Sequence, residues 1–378
     1  MEPIYLDYNA TTPIDPRVAN VMKPFLTQSF GNPSSSHWFG IESRKAILKA
    51  REQVAALINC KPEEIVFTSG GTEANNYAIR GYAYANRHKG NHIITSVIEH
   101  PAILEVCKYL EEYDFDVTYL PVDKNGSVSV RSVQDAVTEK TILISIMHAN
   151  NEVGTIQPIM EIAEIAYENG ICMHTDAAQS LGKIPVDVLE LNVDLISIAG
   201  HKIYAPKGIG ALYVKQGTKL EKLMFGAKQE NGFRAGTENV LEIVGLGKAC
   251  EIAQQDLETN IVHLKNMRDR LWNGLVNDIP DVRLNGHPDK RLPNTLNVSF
   301  LNMNDYFQLS LFLEIAASAG AACNNNTTSF SHVLEAMNVP IEYAKGNIRF
   351  STGKFTTEKE IDNAVIKIIE IHNSQIGL

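Results

Sequence analysis

Between Ile65 and Val214 the sequence ends each of five apolar runs in polar residues with different chemistry. EIVFT is followed by SGGTE (Ser69–Glu73), and HIITSVIE by His100. ILISIMHA is followed by Asn150 and Asn151. ICMHT is followed by Asp176 and Gln179, and LISIAG by His201 and Lys202. In open α/β sheets, ligands bind outside the carboxyl ends of the strands. The Gly-rich turn SGGTE, opening a helical pattern, presents backbone N–H groups and a positive helix end, which suit a phosphate. It also reads as a helix start capped by Thr72. It is neither a Walker A loop nor GxGxxG. Asp176 closes an apolar strand, where a carboxylate needs a partner. A protonated ring nitrogen is one such partner, and the N-cap of AAQSLG is another role for the same residue. A lysine in a partly desolvated site has a lowered pKa and condenses with aldehydes. Alone, Lys202 reads as an ordinary solvated lysine. Taken together the residues suit pyridoxal 5'-phosphate (PLP), which brings an aldehyde for Lys202, a phosphate for Gly71 and Thr72, and a pyridinium for Asp176. His100 could stack on its ring, while Asn151 and Gln179 could bond its O3'.

The elements that must position these residues are legible as an alternation. β-rich runs (EIVFTS, HIITSVI, TILISIMH, ICMHTD, VDLISIAG, IGALYV) interleave with helical patterns such as PAILEVCKYLEEY and IMEIAEIAYENG. Such alternation predicts an α/β fold with a mostly parallel sheet covered on both faces, as strands apolar throughout require. From about Glu238 the pattern becomes a long helical connector. It leads into an α+β region holding VRLNG, TLNVSF, NDYFQLSLFLEIA, NIRFSTG and a terminal helix.

The chain has 378 residues, 44% apolar and 21% charged, with a formal net charge of -10. That balance disfavours direct binding to nucleic acid or an anionic membrane surface. No signal peptide is read at the N-terminus, and the longest near-apolar run, LFLEIAASAGAAC, is too short to span a bilayer and contains Glu314. A cytoplasmic location is expected. The five cysteines, Cys60, Cys107, Cys172, Cys250 and Cys323, are scattered without a CxxC pair, so neither disulfides nor a metal site is expected. Four lie in apolar or helical stretches and read as packing; Cys323 precedes a polar NNNTT run.

The chain resembles the cysteine desulfurases of the NifS/IscS type, within the fold-type I PLP enzymes. The resemblance runs over nearly the whole length, through YLDYNATTP, FGNPSSSH, FTSGGTEANN, EHPA, HANNEVGTIQPI, HTDAAQSLGKIPVD, GHKIYAPKGIGALYV, RAGTEN, LPNTLNVSF and IRFSTGKFTTEKEID. It implies a seven-stranded-type sheet in a large PLP-binding domain, residues 15–258. A smaller α+β domain combines residues 1–14 with 259–378 and carries the catalytic cysteine loop. Lys202 is implied to hold the cofactor covalently, His100 to stack on it, Asp176 to pair with its nitrogen and Gln179 with its O3'. Asn151 lies near O3' and the substrate. Gly71, Thr72 and His201 bind the phosphate, and Thr237 reaches the phosphate of a neighbouring subunit, which implies a homodimer. Arg349 grips the substrate carboxylate, with Asn32 nearby. Cys323 is the nucleophile, although the flanking SAGAACNNNTTSFSHVL departs from the family's SSGSAC-like run, and Ala199 stands where many relatives carry Ser or Cys. The implied activity removes sulfur from L-cysteine, giving alanine and a Cys323 persulfide. The persulfide passes to an acceptor protein such as an iron–sulfur scaffold; tRNA thiolation and DNA sulfur modification are further outlets. An aminotransferase or a C–S or selenocysteine lyase that leaves Cys323 idle is the alternative.

Overall fold

The computed structural model describes residues 3–303, 305–319 and 331–376. The strands, in chain order, are β1 (Ile4–Tyr5), β2 (Ile65–Thr68), β3 (His92–Ser96), β4 (Asp116–Leu120), β5 (Thr141–Ser145), β6 (Cys172–Asp176), β7 (Leu195–Ala199) and β8 (Gly210–Val214). They continue with β9 (Val282–Asn285), β10 (Thr295–Phe300), β11 (Ile315–Ala316), β12 (Ser318–Ala319) and β13 (Asn347–Ser351). Strands β2 to β8 form a seven-stranded sheet in the order β2-β8-β7-β6-β5-β3-β4. The β4, β3, β5, β6 and β7 pairings are parallel; β8 runs antiparallel to both β7 and β2.

Side chains alternate across this sheet with the strand period of two. Ile65, Phe67, Ile94, Ile144, Ile196 and Ile198 join a core beneath the helices Trp38–Leu57 and Val240–Gln255. Val66, Ile93, Leu143, Leu195 and Leu212 join the opposite core with Tyr77 and Ile103. β4 is the strand that sequence alternation does not reveal. It lies at the sheet edge, and its residues are largely half-exposed.

The long helical pattern after Glu238 divides into Val240–Gln255 and Leu257–Asp278, breaking at Asp256. The second helix packs with Glu358–Ile376 over the antiparallel sheet β12-β13-β10-β9. Leu271, Leu275, Val298, Phe300, Ile348 and Ile361 fill that core, and Ile4 and Leu6 of the N-terminal arm enter it.

Two contacts place the turn after β2. A buried bidentate pair joins Arg51 to Glu230 (2.7 and 2.8 Å), and Glu230 also accepts from the Phe67 N–H at 2.8 Å. The second contact is steric. A Cβ on Gly210 would meet the Ile198 carbonyl oxygen at 2.5 Å and Gly70 backbone atoms at 2.7 and 2.8 Å. None of these atoms belongs to a flexible side chain. Gly210→Ala is therefore expected to lower unfolding free energy by about 1–3 kcal/mol through overpacking. The check is urea unfolding of the variant, with the midpoint lowered and the slope unchanged.

Candidate active site

The carboxyl ends of β2, β3, β5, β6 and β7 converge on a cavity of ≈ 430 Å³. Its lining includes Gly71, Thr72, His100, Asn151, Asp176, Gln179, His201, Lys202 and Arg349, together with Asn9, Asn75 and Ala199. Nine of the residues singled out in the sequence thus meet in one space.

Lys202 ends a short 3₁₀ turn, Gly200–Lys202, directly after β7. Its Nζ donates to the carbonyls of Asn9 (2.5 Å) and Ala10 (2.8 Å). Burial pushes its pKa down to about 8, Arg349 pushes in the same direction, and Asp7 and Asp176 oppose them. Far more of the amine is therefore neutral near neutral pH than in an ordinary lysine, although the protonated form still predominates; a nucleophilic lysine needs the neutral form.

Asp176 accepts two hydrogen bonds. Oδ1 accepts from the Ala178 N–H at 2.8 Å, closing a turn rather than a regular helix, while Oδ2 accepts from Asn75 Nδ2 at 2.7 Å. It remains in the cavity wall, where it can face a cationic ring nitrogen. His100 caps the helix Pro101–Glu111, its Nδ1 accepting from the Ala102 N–H at 3.1 Å. That bond puts the proton of the neutral ring on Nε2. Burial and the nearby Lys202 and His332 lower its pKa, against Asp176 and Glu152.

At the other end, Gly70 (φ 155°) turns the chain into the helical stretch that starts at Gly71. Thr72 is not the cap; Glu73 takes the Ser69 N–H at 2.7 Å and is itself paired with Arg234 at 3.0 Å. The first N–H groups of a helix have no intrahelical acceptor. Gly71 sits against Ala199, since a Cβ on it would come to 3.1 Å of the Ala199 Cβ. His201 lies alongside, with Nδ1 3.2 Å from the Thr11 hydroxyl; burial and then Lys202 push its pKa down to about 4. The ring is neutral at pH 7 and can donate one N–H to an anion.

Arg349 enters from β13. It pairs with Asp7 at 2.9 Å and donates to Ser318 Oγ (2.8 Å) and the Asn151 carbonyl (3.1 Å). Its buried Nε has no partner among the described residues. The adjacent Asn150 is structural: Oδ1 takes the N–H groups of Glu152 and Val153, and Nδ2 bonds the Ile98 carbonyl.

Two candidates lie outside the cavity lining of the single chain. Asn32 is exposed and caps its own turn through Ser34 N (2.9 Å), and Thr237 is exposed in the loop anchored by Glu230 and Arg234. Cys323 lies outside the described residues. The other cysteines pack as expected: Cys107, Cys172 and Cys250 are buried and Cys60 half-buried, all four thiols pushed up, chiefly by burial. Among the described residues no group of acidic, His and Cys side chains could hold a metal. Asn9 and Asn75 are site residues that strand-end reasoning misses. Asn9 precedes every strand of the large sheet, and Asn75 lies a helical turn beyond Gly71 and Thr72, inside the run TEANN.

The cavity's chemistry fits PLP. A desolvated lysine amine, a carboxylate oriented by an amide, and an imidazole surround a space bounded by a glycine cradle. The unpartnered Arg349 Nε and the buried, unpartnered Asn75 Oδ1 are polar atoms awaiting a ligand. Comparisons with known proteins agree. The model for the family "Aminotransferase class-V" matches residues 4–364. A cysteine desulfurase IscS from Dictyoglomus turgidum is 52% identical over 369 residues, covering 97% of this chain and 93% of that protein. Among solved structures, a NifS-like protein superposes with a TM-score of 0.93 at 40% identity, over 98% of this chain and 100% of that one. A structure described as SspA in complex with cysteine gives 0.82 at 39% identity, over 94% and 100%. The chain belongs to the class-V aminotransferase family of PLP-dependent enzymes.

Proposed function

We propose that this protein is a cysteine desulfurase that moves the sulfur of L-cysteine onto Cys323 and releases L-alanine. The observation that carries the reading is one cavity holding the Lys202 amine, the Asp176 carboxylate and the Arg349 guanidinium. The cysteine desulfurases 50% or more identical to the chain support it.

In this reading Gly71, Thr72 and His201 hold the PLP phosphate, His100 covers the ring, and Gln179 and Asn151 bond its O3'. When bound, PLP supplies an electron sink for the substrate α-carbon, effective while Asp176 keeps the ring nitrogen protonated. Arg349 binds the substrate carboxylate through a directional, charge-assisted pair, with Asn32 and Asn151 on the substrate side. Lys202, as a free amine, removes the α-proton. The Cys323 thiolate takes the substrate sulfur: the C–S bond breaks, an S–S bond forms, and the electron pair left on carbon collects a proton. The chain on either side of 320–330 supports delivery of that thiol. Ser318 bonds Asp7 at 2.8 Å, and His332 Nε2 lies 3.1 Å from the carbonyl of Glu99, next to His100.

The further parts of the reading are a division into residues 15–258 and 1–14 with 259–378, a cytoplasmic location, and a homodimer in which Thr237 serves the neighbouring subunit. The separate core containing Ile4, Leu6 and Phe350 supports the division. The exposed position of Thr237, outside its own cavity lining, supports the dimer. Among the described residues no helix is long and apolar enough to cross a membrane. The persulfide would pass to an acceptor protein such as an iron–sulfur scaffold.

The amine of Lys202 reacts only when neutral, and its pKa is lowered to about 8 from the ordinary 10.5. Colour development by the apo chain with PLP should therefore speed up as pH rises and level off above about 8. Lys202→Ala should develop no such colour. A stopped-flow absorbance series against pH checks both. Arg349→Ala should raise KM for L-cysteine by about 10–100-fold, the loss of a charged hydrogen bond, with far less change in PLP affinity; steady-state kinetics beside a PLP titration separate the two. Cys323→Ser should keep the PLP band and its perturbation by L-cysteine but lose nearly all alanine release, measured under reducing conditions. Near-normal alanine output would reassign the enzyme to a lyase that leaves Cys323 idle.

A further inference from the structure

Behind the cavity lies a lysine that the reaction does not use. Lys183 is buried, and its Nζ donates to the Gln179 carbonyl at 2.9 Å and to Gln179 Oε1 at 3.0 Å. No carboxylate among the described residues forms an ion pair with it. Burying an unpaired ammonium is unfavourable, and Lys183 has no place in the cavity lining. Its partner Gln179 does line the cavity, and Gln179 Nε2 donates to the Asn9 carbonyl at 3.1 Å.

An amide can face either way round, and its neighbours decide which way. A lysine ammonium is only a donor and a backbone carbonyl only an acceptor. With Lys183 on one side and the Asn9 carbonyl on the other, Gln179 has one arrangement that satisfies both: Oε1 toward Lys183 and Nε2 toward Asn9. The second Nε2 proton has no acceptor among the described residues and is left for the cavity. Were the amide reversed, Oε1 would face the Asn9 carbonyl and repel it. Asn9 O also accepts from Lys202, so one carbonyl joins the two lysines through Gln179.

We propose that Lys183 is a positioning residue that locks the Gln179 amide as a hydrogen-bond donor toward the phenolic oxygen of PLP. The inference rests on the cofactor reading above. Its second consequence is electrostatic. Lys183, Lys202 and Arg349 are mutually repelling cations, opposed by Asp7 and Asp176 across the cavity; His201 is neutral, and Lys354 is paired with Asp15. Burial first, then Lys202 and Arg349, bring the pKa of Lys183 down to about 7. A donor on the phenolic oxygen and a cation behind it both disfavour an extra proton where Lys202 joins the cofactor.

The test is the pH midpoint of the visible band of bound PLP, read on the full-length holoenzyme. Lys183→Met should raise that midpoint by roughly one pH unit, the scale set by a neighbouring charge or donor. Lys183→Arg, which keeps donor and charge, should restore a value near the wild type. Gln179→Leu should raise the midpoint too, and adding Lys183→Met to it should produce much less than the sum, since both act through one amide. Gln179→Glu asks the same question with Lys183 still partnered: its carboxylate accepts from Lys183 but offers the cofactor no donor, so the midpoint should rise there as well. An unchanged midpoint in Lys183→Met, or in Gln179→Glu if Lys183→Met does not fold, overturns the proposal. So do fully additive shifts. In either case PLP is bound and the cofactor reading stands; a wild-type chain that takes up no PLP removes both.

Discussion

The carbonyl of Asn9 accepts from Lys202 and from Gln179, and the rest of Asn9 is tied to three other parts of the molecule. Its N–H donates to Ser351 Oγ (2.9 Å), its Nδ2 to Thr295 Oγ1 (2.9 Å) and the Asn151 carbonyl, and its Oδ1 accepts from Asn294 (2.9 Å). The residue is fully buried. A buried polar network is stabilising when every member is satisfied and costly when one is not. The lysine at the end of β7 therefore takes its position from an N-terminal segment that is itself held by β10 and β13. Asn9 is one of the residues at which two sheets distant in sequence are joined, and it lines the cavity beside them.

The same arm supplies Asp7, which holds Arg349 against Ser318. One short stretch of chain thus contacts the cation at each end of the site, and Arg349 is held as well by the Asn151 carbonyl beyond β5. On the opposite side, β8 has only a glycine where it passes the Gly70 turn. Close backbone approach there and full hydrogen bonding at Asn9 are the two constraints that fix the cavity's walls.

Much of this is written in the sequence because parallel strands buried on both faces must be apolar, so a polar residue at a strand end stands out. Lys202, Asp176, His100 and Asn151 were legible through their co-occurrence at those ends, where each alone has an ordinary structural reading. β4 was not, because an edge strand needs no continuous apolar run. The break at Asp256 was hidden inside a continuous helical period. Asn75 and Lys183 carry no strand-end signal; each acts on a site residue, Asp176 or Gln179, through one side-chain bond, and such pairings depend on rotamers and on which turns fold back. Asn32 and Thr237 were drawn from the family resemblance, and the single chain leaves both exposed.

The cations also explain why the site is built for anions. Lys202 and Lys183 have pKa values of about 8 and about 7 in the folded chain, against an ordinary 10.5. Between the folded and unfolded values the folded chain holds fewer protons than the unfolded one, so this part of its stability rises with pH across that window and is lost as pH falls through it. Among the described residues neither lysine has a carboxylate of its own in an ion pair, and Arg349 shares Asp7 with the field of Lys202. A ligand carrying a phosphate and a carboxylate reverses the balance, because each anion favours the protonated form of the group it approaches. Of the two lysines that make the fold sensitive to protons, Lys202 lines the cavity and Lys183 stands behind it through Gln179, so an anion bound there supplies the negative charge that folding alone leaves out.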